Sequence, residues 1–203
     1  NSDGRWFAEF DPLAGANFAH NPGYIEGNAW QYLFMVQHDI KGLKKLMGGN
    51  KKFEARLDEL FEKDQFDMAN EPDFAYGYLY NFIQGKEYKA SEKIHELIAT
   101  YYKNAPDGIP GNDDTGTMSA WVIYSMIGIY PITPAEPVYT FVVPTFNKII
   151  LHLNQDYYEN PELIIVKDSI SKGKLKIEVD GAKFTKPLFD LSKINFPKKI
   201  KFL

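Results

Sequence analysis

The spacing of apolar residues changes once along this chain, and that change constrains the fold more than any other feature. Up to about residue 127, apolar side chains recur three and four apart; from residue 138 they alternate or cluster in β-branched and aromatic runs. Helices and strands are therefore segregated, which points to an α+β fold and away from a doubly wound parallel sheet. Phe53, Leu57, Leu60 and Phe61 make one helical face, with Asn50 expected as the cap. Before them, Asp39 is placed to cap a segment through Met47 that Gly48-Gly49 stops. Pro72 suits the first turn of a helix predicted to reach Gln84, and Ser91 opens another predicted to reach Lys103.

Residues 117–127 are apolar on almost every side, so that helix is predicted to be buried all round, ending at Gly128 and Pro131. The runs 139–143, 148–153, 163–166 and 175–179 predict an antiparallel sheet with Asp180-Gly181 as a hairpin turn. The basic stretch Lys198-Lys199-Ile200-Lys201 reads as a solvated edge strand. The expected organisation is thus helical hairpins over 1–135, recurring as in an α-toroid built from helix pairs. A β region over 136–203 is expected to pack on them.

Charge narrows the partners. A formal net charge of −4, with no Lys/Arg stripe interleaved with aromatics, argues against nucleic acid. No apolar run approaches the ~20 residues that span a membrane. With no cysteine, disulfides and thiolate metal sites are excluded. The four histidines, His20, His38, His95 and His152, fall in no metal-ligand pattern. The start at Asn1-Ser2-Asp3-Gly4, without a secretory signal, reads like the middle of a longer protein.

Two carboxylate settings carry the chemistry. Glu26 lies in Tyr24-Ile25-Glu26-Gly27-Asn28-Ala29-Trp30-Gln31-Tyr32, a dense set of stacking rings and hydrogen-bonding amides suited to a sugar. An aromatic pocket there would favour a proton-donating carboxyl, although an isolated glutamate reads first as a cap or surface residue. Gly111-Asn112-Asp113-Asp114-Thr115-Gly116 opens the apolar helix at 117. That loop reads equally as a helix cap, with its carboxylates favoured by the helix dipole, or as the seat of a general base. A third constellation, Asn70-Glu71-Pro72, offers hard oxygens of the kind Ca²⁺ prefers; as a tripeptide alone it reads first as a helix start.

In order and spacing, these strings resemble glycoside hydrolase family 92, the calcium-dependent exo-acting α-mannosidases. His38-Asp39, Tyr78-Leu79-Tyr80-Asn81, Met118-Ser119-Ala120-Trp121 and Gly128-Ile129-Tyr130-Pro131 add to the match, which covers most of 6–152. The resemblance implies a partial (α/α)6 toroid and inverting hydrolysis of terminal α-mannosides of glycans, with α-1,2 linkages among the candidates. It implies Glu26 as general acid, Asp114 as general base with Asp113 and Asn112 in support, and Asn28, Trp30 and Gln31 at the substrate. Asn70 and Glu71 would hold Ca²⁺.

The resemblance further implies an N-terminal β-sandwich in the same protein, export to the periplasm or cell surface of a bacterium, and an incomplete, inactive pocket in this chain alone. One departure touches the site: the family usually continues Asn-Glu-Pro with a Ser-His-His-type sequence, where this chain has Asp73-Phe74-Ala75. A non-catalytic carbohydrate-binding module and another inverting α-toroid glycosidase are the alternative readings.

Overall fold

A computed structural model describes residues 3–5, 9–15, 23–133, 135–168, 175–184, 188–190 and 196–203. His20 and the Asn21-Pro22 part of the predicted early turn lie outside the described residues. Five α-helices come first: α1 (Ala29–Tyr32), α2 (Ile40–Leu46), α3 (Asn50–Glu62), α4 (Glu87–Tyr101) and α5 (Thr117–Ile127). The described strands follow: β1 (Ile129–Pro131), β2 (Val138–Phe141), β3 (Lys148–His152), β4 (Glu162–Lys167), β5 (Ile177–Val179), β6 (Ala182–Phe184), β7 (Leu188–Asp190) and β8 (Lys199–Phe202). The segregation expected from the change of period holds, and the fold is α+β.

Local chemistry explains the helix boundaries. The Asp39 side chain accepts the Gly42 N–H at 2.8 Å and caps α2. Two glycines in the left-handed region then turn the chain into α3, at φ 89° for Gly48 and 95° for Gly49. Asn50 is the first residue of α3 rather than its cap; Gly49 holds the cap position without a side-chain bond. Helix α4 begins four residues before Ser91, at Glu87. Gly128, at φ 87°, ends α5; a Cβ there would fall 2.5 Å from the Val142 carbonyl, so only glycine lets β2 and the chain beyond it approach so closely.

Three expectations are corrected. The segment 72–84 is not one α-helix but two 3₁₀ stretches, Glu71–Asp73 and Tyr76–Phe82. Its residues 76–81 are all buried, and the tighter turn lets successive aromatics point into the core on every side. Helix α5 is not buried all round: Met118, Trp121 and Ser125 face inward, while Ile123 and Tyr124 are exposed. The basic C-terminal strand is interior, not an edge. In the five-stranded sheet the order is β3-β4-β8-β5-β6, and β8 pairs parallel with β4 and antiparallel with β5. Ile200 and Phe202 fill the core while Lys199 and Lys201 alternate with them on the outer face, so alternation rather than edge position explains the charges.

One core joins α2–α5 to the 3₁₀ segments through Phe34, Phe53, Leu57, Tyr76, Tyr78 and Trp121. A second lies under the larger sheet, around Phe141, Ile165, Phe189 and Phe202. A three-stranded sheet, β1-β2-β7, contributes to both. Asn81 ties the helical part to it by donating to Thr140 Oγ1 at 2.7 Å and to the Phe141 carbonyl at 2.8 Å.

Candidate active site

Three segments far apart in sequence meet at one place. The Asn70 side-chain amide donates to the Glu26 backbone carbonyl, 44 residues away. Gly111 lies against Ala69, the neighbour of Asn70; a Cβ on Gly111 would stand 3.0 Å from the Ala69 Cβ and 3.2 Å from its carbonyl oxygen. The Trp121 indole N–H donates to the Phe74 carbonyl at 2.8 Å, pinning α5 to the turn that follows Asn70-Glu71. The Glu26 loop, the Asn70-Glu71 turn and the acidic loop before α5 are therefore one constellation.

Both candidate catalytic carboxylates sit on left-handed backbone, at φ 56° for Glu26 and 42° for Asp114. Thr115 (64°) and Gly116 (90°) continue the left-handed run. Such a conformation is disfavoured for side chains with a Cβ and clusters at functional sites. Glu26 and Asp114 are exposed, and neither carboxylate makes a hydrogen bond or ion pair to a described residue. The aromatic enclosure anticipated around Glu26 is not formed by the described residues. Tyr24 and Tyr32 lie beside it, their rings 5.5 Å apart, and the Tyr32 hydroxyl donates to the Ile25 carbonyl at 2.6 Å. Burial, helped by the charges of Glu26 and Asp73, raises the Tyr32 phenol above its usual range.

Asp113 and Asp114 divide two tasks that the loop left open. Asp113 accepts the Ser119 N–H through Oδ1 and the Ser119 hydroxyl through Oδ2, both at 2.8 Å. These bonds hold its carboxyl below the usual carboxylate range. Asp113 thus takes the cap role for α5 that Gly116 cannot fill. The Asp114 carbonyl, not its carboxylate, accepts from the Thr117 hydroxyl at 2.8 Å, which leaves the carboxylate available. Asn112 is exposed.

The amides expected at the substrate have structural work. Asn28 is 2% exposed and Gln31 8%. They form a reciprocal capping box on α1: Asn28 Oδ1 accepts the Gln31 N–H at 3.0 Å, and Gln31 Oε1 accepts the Asn28 N–H at 2.9 Å. Trp30 is half-buried with the Arg56 guanidinium 4.8 Å from its ring centre. It lines, with Tyr24, Tyr32 and Phe10, a cleft of about 890 Å³ whose wall includes neither Glu26 nor Asp114. The cleft thus borders the Glu26 loop at Tyr24 and Tyr32 and is lined by neither carboxylate.

No group of three or more His, Asp or Glu side chains able to hold a metal ion occurs among the described residues. Asn70 is buried and Glu71 half-buried, and the Glu71 carboxylate has no described partner. Two residues to which the sequence assigned no role complete the picture. Ser119 clamps Asp113. Asp73, fully buried, accepts the Asp67 N–H at 2.7 Å through Oδ2, while its Oδ1 is buried with no partner. Burial pushes the Asp73 carboxyl well above the usual carboxylate range. The available signal for Asp73 was a lone charge in the otherwise apolar run Pro72-Asp73-Phe74-Ala75-Tyr76.

Comparisons with known proteins identify the family of the chain. A family model described as the glycosyl hydrolase family 92 catalytic domain matches residues 1–202. An uncharacterized secreted glycosidase of the fungus Arthroderma benhamiae is 32% identical over 151 residues, which are 71% of this chain and 19% of the relative. A family GH92 alpha-mannosidase from Bacteroides thetaiotaomicron, solved with mannoimidazole, superposes with a TM-score of 0.82 at 28% identity, covering 100% of this chain and 29% of that one. A GH92 inverting mannosidase of the same bacterium gives 0.81 at 23% identity over 100% of this chain and 30% of its own, and shows the shared fold. The chain therefore spans less than a third of these relatives. It belongs to glycosyl hydrolase family 92, within that family's catalytic domain.

Proposed function

We propose that the protein containing this chain is an exo-acting α-mannosidase that cleaves terminal α-mannosides of glycans with inversion, Glu26 serving as general acid and Asp114 as general base. One observation carries the reading: the Asn70 amide on the Glu26 carbonyl, with Gly111 against Ala69, gathers acid, oxygen-donor turn and base loop at one place. Inversion needs two carboxyls about 6.5–9.5 Å apart with a water between base and sugar. In that scheme Glu26 gives its proton to the departing oxygen, and Asp114 takes one from the attacking water. Asp113, held by Ser119, keeps the loop in place, and of the two adjacent aspartates Asp114 is the one without a partner among the described residues.

For a divalent cation the donors on the 70–73 turn are suitable: an amide oxygen of Asn70 and carboxylates at Glu71 and Asp73, all hard oxygens, one of them orphaned and buried. Calcium bound there would supply positive charge to orient sugar hydroxyls. Asn70 would then position both the cation and the Glu26 backbone. The name of the fungal relative supports export from the cell, and we extend it to a place of action at the cell surface or in the periplasm.

The test is release of mannose, followed by NMR of the freed anomer, with the full-length protein and its Glu26→Gln and Asp114→Asn variants. Each substitution is expected to lower turnover by at least about a hundredfold, in line with loss of acid–base assistance. Undiminished release in either variant would overturn that residue's role. Release of the α-anomer from the parent would overturn inversion. The exposed carboxylates and the offset cleft favour a second reading, a glycan-binding module without turnover. Calorimetry showing mannobiose binding by the full-length protein with no release would select it.

A further inference from the structure

Asp73 poses a problem that its own neighbourhood does not solve. Its side chain is fully buried, and Oδ1 is one of two buried side-chain atoms without a hydrogen-bond partner among the described residues. The other, Asn81 Oδ1, belongs to a neutral amide anchored through its nitrogen. No described Lys, Arg or His pairs with Asp73. The nearby phenols do not donate to it either: the Tyr76 hydroxyl gives its proton to the Gln31 carbonyl, and the Tyr32 hydroxyl to the Ile25 carbonyl. The third neighbour, Asp67, is itself acidic. A buried carboxylate oxygen without a donor is costly, and such a group is either neutralised by a proton or paired with a cation or a metal.

Asp73 also shares the 3₁₀ turn with Glu71, directly after Asn70. We propose that Asp73 Oδ1 is an additional, anionic ligand to the divalent cation held by Asn70 and Glu71. The inference rests on the cation reading above and goes beyond the family resemblance, which places serine at this position. Oδ2 remains on the Asp67 N–H, so the same carboxylate braces the turn and adds charge to it. Affinity of oxygen sites for Ca²⁺ rises with ligand charge, so this chain is expected to bind the ion more tightly than one with serine here.

Calorimetric titration of the full-length protein with Ca²⁺, backed by tyrosine-sensitised Tb³⁺ luminescence, tests the assignment without any activity assay. Asp73→Asn keeps the shape and the acceptor for Asp67 but removes the charge; Asp73→Ser restores the family pattern. Both are expected to weaken Ca²⁺ binding by about tenfold or more, with circular dichroism in EDTA unchanged. Glu71→Gln serves as the companion. Parent-like Ca²⁺ affinity in Asp73→Asn, with Glu71→Gln weakened, overturns the role of Asp73 and leaves the cation site standing. Absence of Ca²⁺ binding by the parent overturns both. Unfolding of both Asp73 variants in EDTA, where the parent stays folded, overturns the ligand role in favour of a brace.

Discussion

Glu26 and Asp114 hold backbones that a side chain with a Cβ resists, and the resistance predicts a trade. Replacing Asp114, at φ 42°, by glycine should relieve strain and raise the urea midpoint by up to about 1 kcal/mol of stability. Turnover in the full-length protein should be lost at the same time. A stability gain without loss of turnover would place the base elsewhere. Asp113 makes the opposite kind of prediction. Its carboxyl is held below the usual range by Ser119, so the folded state prefers it ionised. The stability this adds is complete above the unfolded-state carboxylate value and is lost as pH falls through the depressed folded one. Ser119→Ala should shrink that component, so that acid unfolding of the variant starts at higher pH than in the parent. Coincident acid-unfolding curves would remove Ser119 from the clamp.

At the scale of elements, Asn81 is one of the side chains that join helices to strands. Asn81→Ala strips two acceptors of their donor inside the core and should cost about 1–3 kcal/mol in chemical denaturation. Trp121→Phe removes the bond to the Phe74 carbonyl while keeping most of the ring packing, and should lower turnover of the full-length protein more than it lowers stability. Much of this layer was legible in the sequence. Asp39 capping α2, the Gly48-Gly49 stop, the Thr117 start of α5 and the Asp180-Gly181 hairpin follow from local chemistry, and all four are found. What escaped depends on tertiary context. An aromatic run such as 76–82 has no spacing that separates an α-helix from a 3₁₀ segment, and burial decided it. Strand order is likewise silent in sequence: nothing in Lys198-Lys199-Ile200-Lys201 shows which neighbours it will have. At the site, the residue types were legible and their division of labour was not, because a capping aspartate differs from a free one only by where Ser119 lies.

For the molecule as a whole, several large apolar side chains stand in water. Leu46 is 88% exposed, Ile25 77% and Phe10 59%, and Phe10 borders the large cleft with Trp30. Large apolar side chains left in water favour contact with another body. The isolated 203-residue chain is therefore expected to bind a hydrophobic dye and to elute larger than a monomer, and Leu46→Lys to reduce both. A monomeric chain that ignores the dye would show that this face is content in water. In the relatives, which are more than three times longer, the corresponding region is one part of a larger body.

The interior position of β8 has a consequence for synthesis. The β3-β4 and β5-β6 hairpins can each close as they leave the ribosome, yet neither touches the other in the sheet; β8 is the strand between them. The larger sheet therefore stays in two halves until residue 202 has been made, whereas α2 through α5 complete their local contacts far earlier. A nascent protein stalled before that point would present two open strand edges to proteases and chaperones. Placing the latest-made of these five strands at the centre makes closure of the larger sheet wait for translation through Phe202.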